Sequence, residues 1–119
     1  MSVKKSGSAH SRAGLWSEPA ERDLGRIYEY FLARTRAGTR TVVNGILNTV
    51  RRVTNTHEIG APADLVEPGG DLRQYAWRHW LVFYRVRDEY VLILRIWDSR
   101  RDPDSLTLPE ETDAYTAED

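Results

Sequence analysis

The chain has 119 residues, 40% of them hydrophobic, and a formal net charge of -1, which suits one small globular domain with a single modest core. It has no cysteine, so disulfides, zinc-thiolate sites and thiol nucleophiles are excluded. No apolar run approaches the roughly 18 residues of a membrane span, and the opening Met1-Ser2-Val3-Lys4-Lys5-Ser6-Gly7-Ser8 lacks the apolar stretch of a secretory signal, so a cytoplasmic setting is expected.

Residues 1–13 are small, polar and aperiodic and read as a flexible arm. Ala13-Gly14-Leu15-Trp16 reads as a short first strand on a sheet edge. Ser17 is a good N-cap and Pro19 suits a first helical turn. Ala20, Leu24, Ile27, Tyr28, Phe31 and Thr35 then recur at three- and four-residue steps, which predicts an amphipathic helix over residues 18–36, ended by Gly38. A second helix over residues 39–54 carries Val43, Ile46, Leu47, Val50 and Val53 on one stripe, with Gly45 permitting close approach of the first helix. The short link at Ala37-Gly38 makes the pair a helical hairpin. Gly60, Pro62, Pro68, Gly69 and Gly70 break residues 55–70 into a loop.

Three strands are predicted next, over residues 71–77, 79–87 and 90–97. The last two are rich in β-branched and aromatic residues and are joined by the acidic turn Asp88-Glu89, which reads as a β-hairpin. Trp80, Val82 and Tyr84 share one face of their strand, and Leu81, Phe83 and Arg85 share the other. Both faces are therefore substantially apolar. The expected fold is α+β: an N-terminal helical hairpin packed on one face of a three- to four-stranded antiparallel sheet, with the far face left for a partner. The domain spans residues 14–103. Residues 104–119 form an acidic tail, expected to be mobile, holding Asp104, Glu110, Glu111, Asp113, Glu118 and Asp119 and no base.

With that tail set aside, 17 basic residues stand against 12 acidic ones, and the only lysines are Lys4 and Lys5. The folded part thus relies on arginine, which keeps its charge when partly buried and makes forked contacts to carboxylate or phosphate. Arg78, Arg95, Arg100 and Arg101 are the candidates for contact with a target or with an acidic partner. The competing reading is ordinary surface charge, with Arg95 paired to a neighbour such as Glu89. His79, beside Arg78 and Trp80, reads as a turn residue, and His57 and His10 have no evident partner. No histidine pair has the spacing of a metal site, so no metal and no cofactor are expected.

Trp16-Ser17-Glu18-Pro19-Ala20-Glu21-Arg22-Asp23-Leu24, followed by Ile27-Tyr28-Glu29-Tyr30, resembles the opening of the RelE/ParE toxin superfamily. His57-Glu58-Ile59-Gly60 resembles that family's turn after the second helix, and Leu72-Arg73 its next strand. Trp80-Leu81-Val82-Phe83-Tyr84-Arg85-Val86 and Val91-Leu92-Ile93-Leu94-Arg95-Ile96 are the most specific stretches, and Ser99-Arg100-Arg101-Asp102-Pro103 is similar to the arginine-rich ending. The resemblance covers residues 15–103. It implies the toxin of a type II toxin–antitoxin pair, a system linked to plasmid stabilization and growth inhibition. A cognate antitoxin would wrap the toxin with an acidic C-terminal segment.

The superfamily divides by mechanism. RelE-like members cut messenger RNA in the ribosomal A site; ParE-like members inhibit DNA gyrase and are not thought to be nucleases. Metal-free RNA cleavage needs a base, cations for the phosphorane and an acid for the leaving oxygen. RelE-like nucleases use lysines and arginines with a tyrosine or histidine near the C-terminus. Here no lysine lies in the folded part, no tyrosine follows Arg101 before Tyr115, and Ala76 stands nearest the position of a family arginine, with Arg78 two residues on. Asp98 stands where ParE-like relatives often carry histidine. The resemblance therefore implies a ParE-like, non-enzymatic gyrase inhibitor with no catalytic residue and no direct nucleic-acid binding. The alternatives are a RelE-like ribosome-dependent endonuclease and an inactive toxin-fold module that only binds antitoxin.

Overall fold

The computed structural model describes residues 12–111 and 115–117. Among them are strands β1 (Ala13–Ser17), β2 (Ala61–Pro62), β3 (Arg73–Trp77), β4 (Trp80–Val86), β5 (Tyr90–Asp98) and β6 (Tyr115–Ala117), and helices α1 (Glu18–Leu32) and α2 (Arg36–Asn55). The expected arm lies outside the described residues up to residue 11. Arg12 is described, and its Nε donates to the carbonyls of Arg87, at 2.7 Å, and Asp88.

β1 runs straight into α1 through Ser17. Its buried hydroxyl accepts from Ala20 N at 3.0 Å, capping the helix, and donates to the Leu94 carbonyl at 2.7 Å, fixing the helix start to β5. The first helix is shorter than its stripe suggested. Thr35 is not its last apolar-face position but the N-cap of α2, accepting from Gly38 N, so Gly38 lies in the first turn of α2 and does not end α1. Within α2 the buried Thr49 and Thr54 donate to carbonyls four residues back, which lets polar residues sit on a buried stripe. Gly45 does give close approach, but to Trp77 of β3 and not to α1: a Cβ there would overlap the indole ring.

The sheet is six-stranded and mixed, in the order β2-β3-β4-β5-β1-β6, and corrects the expected three- to four-stranded antiparallel sheet. β3–β4 and β4–β5 are antiparallel hairpins as expected. β1 is not an edge strand. It pairs parallel to β5, with Leu15 opposite Leu92, and antiparallel to β6, with Trp16 opposite Thr116. β2 and β6 have two and three residues, too few to leave an alternation signal in the sequence. They are also the two outermost strands, and such short edges offer little template for unwanted pairing.

Alternation on β4 holds as read from the sequence. Trp80, Val82 and Tyr84 join the core under the helices with Ile46, Val50, Val53, Val91, Ile93 and Ile96. Phe83 and Leu81 turn to the second face with Leu92, Leu94 and Trp97. That second face is not open to a partner, as the expected fold had it. Ala63, Val66 and Leu72 cover part of it, and Leu106, Leu108 and Tyr115, from the acidic segment expected to be mobile, cover more. A bulge between the 83–95 and 84–93 pairs leaves Leu94 as the extra residue of β5, which shifts the strand's alternation beyond it.

The loop after α2 hangs on Tyr84, fully buried, whose hydroxyl donates to the His57 carbonyl at 2.8 Å and accepts from Gly60 N at 3.0 Å. Arg85 forks onto Glu67 with two 2.7 Å bonds and reaches Asp71 at 2.6 Å; Arg87 binds Asp71 at 2.8 Å and also pairs with Glu111. These arginines hold the loop and the C-terminal segment.

Candidate functional site: an arginine end and an apolar groove

Three of the four arginines singled out from the sequence lie at one end of the sheet. The β3–β4 turn lies beside the end of β5, because Trp80 pairs with Asp98 and Ser99 N donates to the His79 carbonyl at 2.8 Å. Arg78, in that turn, therefore lies at the same end of the sheet as Arg100 and Arg101, resting on Trp77 of the helix-side core, whereas Arg101 rests on Trp97 of the second face. Arg78 is exposed and has φ +57, a left-handed conformation uncommon for a residue with a Cβ. Its guanidinium lies 4.5 Å from the Trp77 ring centroid, and that of Arg101 lies 4.2 Å from the Trp97 centroid. Both cations thus lie over indole rings.

Arg100 is tied locally. Asp98 accepts its Nε and NH2 at 3.0 and 2.9 Å and its backbone N at 2.9 Å. That forked hydrogen bond holds the Asp98 carboxyl at about 2 against an ordinary 3.8, although partial burial opposes the shift. The fork also shows how this end of the molecule grips a carboxylate.

Arg95 goes elsewhere. Only 8% exposed, it donates from Nε and NH2 to the two oxygens of Asp23 at 2.8 and 2.9 Å, and from NH1 to the Thr107 carbonyl at 2.8 Å. Asp23 also accepts the Ile96 N–H at 3.0 Å. The partner is Asp23 on α1, not Glu89. From the sequence Asp23 enters only as part of the family-like opening and is given no role, yet a signal stands there: a carboxylate on an inward helical stripe three residues after Ala20 and four before Ile27, in a chain with arginine inside a strand.

Two concavities flank α1. On one side a cleft of about 290 Å³ opens beside the arginine end, with Ile27, Tyr30, Phe31, Trp80 and Ile96 as apolar wall and Arg26, Arg100 and Arg101 at its rim. Arg26, 67% exposed, had no particular signal in the sequence; it approaches Asp23 only at 3.8 Å. His79 packs its ring on Trp80, with centroids 4.5 Å apart, and its Nε2 is buried without a partner among the described residues. On the other side of α1 a groove of about 550 Å³ is lined by Trp16, Leu24, Tyr28, Val43 and Leu47, with Arg51, Thr116 and Ala117 at its border. Tyr28, Tyr30 and Leu32 are among the few large apolar side chains left exposed, and all three lie on α1. Among the described residues no group of histidines and carboxylates is arranged to hold a metal ion, and no helix is long and apolar enough to cross a membrane.

Acid should loosen this frame. Glu67, hydrogen-bonded to Arg85, is held below its usual value; so is Asp71, where burial is outweighed by hydrogen bonds from Arg85 and Arg87. With Asp98, these carboxyls have folded-state pKa values below their unfolded ones. Their contribution is complete above about pH 5 and is lost as pH falls through 4 towards 2. Urea midpoints measured from pH 7 to pH 2.5 should be level down to about pH 5 and then decline, with the Asp98→Asn variant declining less steeply.

Residues 15–103 match the family described as the ParE toxin of the type II toxin–antitoxin system, parDE, and the chain belongs to that family. Among solved structures it is similar to a chain of one titled "Chromosomal ParDE TA system from P. aeruginosa", with 21% identity over 73% of this chain and 95% of that one and a TM-score of 0.60, a likeness of fold. None of the curated proteins matches it.

Proposed function

We propose that the chain arrests growth by binding DNA gyrase through its arginine end, and that a cognate antitoxin with an acidic C-terminal segment neutralises it. The site candidates for these contacts are Arg78, Arg100 and Arg101, with Arg26 across the cleft; Arg95 supports them from inside. One observation supports binding over cleavage. The folded part has no lysine, and no tyrosine or histidine follows Arg101 before Tyr115, the residue types a RelE-like nuclease uses. The carboxylate at the arginine end, Asp98, is already forked to Arg100. The exposed Tyr28, Tyr30 and Leu32 and the groove beside α1 support docking of an amphipathic antitoxin segment along the helical hairpin.

The indole-held guanidiniums would also suit phosphate, which favours ribosome-dependent messenger cleavage as the second reading. Two reactions separate them. Purified chain added to gyrase, relaxed plasmid and ATP should stop supercoiling and accumulate cleaved DNA, while a cell-free translation reaction keeps its messenger intact. Unimpeded supercoiling together with codon-spaced messenger cuts would overturn the proposal in favour of the nuclease.

A further inference from the structure

The C-terminal strand has a place in the fold that the family match does not account for. The match ends at residue 103, whereas β6 begins at Tyr115. β6 lies against the side of β1 that β5 does not use, pairing Tyr115 with Ser17, Trp16 with Thr116 and Leu15 with Ala117. Without it, β1 would present a row of unpaired N–H and C=O groups, the template on which another chain adds a strand. That row borders the apolar groove, whose rim includes Thr116 and Ala117. A strand seated on β1 thus continues directly into the concavity beside α1.

The hold on β6 is slight. It has three residues, of which Thr116 and Ala117 are exposed and only Tyr115 packs, on the second face of the sheet. Upstream, the segment is fastened by the Arg87–Glu111 ion pair, by the bond from Arg95 to the Thr107 carbonyl, and by Leu106 and Leu108 on the second face of the sheet. Residues 104–119 carry six acids and no base, and Arg51 stands at the groove wall. The occupant of the β1 edge is thus a short extended segment, Tyr115–Ala117, taken from the acidic C-terminal stretch of the chain itself.

We propose that the β1 edge is a docking site for an acidic extended segment of a partner polypeptide, and that Tyr115–Ala117 is a tethered internal occupant which the partner strand displaces. This adds to the reading above a control on partner access and depends on that reading only for who the partner is. A tethered occupant competes at an effective concentration in the millimolar range, set by its linker. It lowers a partner's apparent affinity by the fraction of molecules whose edge is free.

The test needs no partner protein. The probe is a fluorescent peptide of residues 108–119, followed by anisotropy against the full chain and against the chain ending at Glu111, which keeps Leu106, Leu108 and the Arg87–Glu111 pair. The shortened chain should bind the peptide, and the full chain should bind it on the order of tenfold more weakly, as expected of an intramolecular competitor. The full-length Thr116→Pro variant, with β6 unable to pair normally, should bind like the shortened chain and guards against a folding defect in it. The peptide carrying the same proline, or a scrambled peptide of equal charge, should bind neither. Failure of both uncapped chains to take up the peptide would overturn the proposal, as would equal uptake by the full chain or binding of the scrambled peptide. A chain that leaves gyrase untouched can still pass this test, and a gyrase inhibitor can fail it.

Discussion

Asp23→Ala should lower the stability of the domain by about 3–5 kcal/mol, the usual cost of removing one partner of a buried ion pair. Asp23 is 5% exposed and Arg95 8% exposed, and the carboxylate takes three hydrogen bonds, two from the guanidinium and one from Ile96 N. Removing it strands a charged group between α1 and β5 and leaves a backbone N–H unpaired. At about 4 °C or more per kcal/mol for a domain of this size, the melting temperature should fall by at least about 12 °C. The pair itself need not be a net gain over apolar packing. Asp23→Leu combined with Arg95→Met should therefore recover most of the loss, and a double-mutant cycle by urea denaturation would show strong coupling. A small loss in Asp23→Ala, or additive losses in the double variant, would mean that the pair does not organise the helix–sheet junction.

The same junction shows which parts of the fold were legible. Helical periodicity placed α1 and α2, and alternation placed the inward faces of β4, because those segments are long enough to repeat their period several times. β2 and β6 lack that length, so the width of the sheet was hidden. The position of β1 was hidden for another reason: four or five residues cannot tell which neighbour they will pair with, and the parallel pairing to β5 is set by the crossover through both helices. The cover over the second face was equally obscure. Leu106, Leu108 and Tyr115 stand in a polar, acidic stretch, and only their arrangement in space shows that they pack on Phe83, Leu92, Leu94 and Trp97. Of the arginines, type and spacing pointed to all four alike. Only the structure separates Arg95, whose Nε, NH1 and NH2 all donate within the protein, from Arg78 and Arg101, which rest on indoles at the surface.

That separation gives the second large effect. Arg78→Glu with Arg101→Glu should abolish growth inhibition while leaving the fold intact. Both side chains are exposed, and no salt bridge within 4 Å involves either one among the described residues. What each loses inside the domain is a cation–π contact worth about 0.5–1 kcal/mol, so the melting temperature should shift only a few degrees. Facing an anionic target surface, each reversal sets like charges together at a cost of several kcal/mol. With about 1.4 kcal/mol per factor of ten, the concentration of chain needed to halt supercoiling should rise by about a hundredfold or more. Arg78→Ala with Arg101→Ala should fall between, removing attraction without adding repulsion. The left-handed turn makes Arg78→Gly a sharper control: glycine relieves the backbone cost at φ +57, so this variant should be at least as stable as the parent and yet weaker as an inhibitor. If the reversed variant still stops supercoiling at the parent concentration, the arginine end is not the surface that meets gyrase, and the exposed face of α1 becomes the one to test.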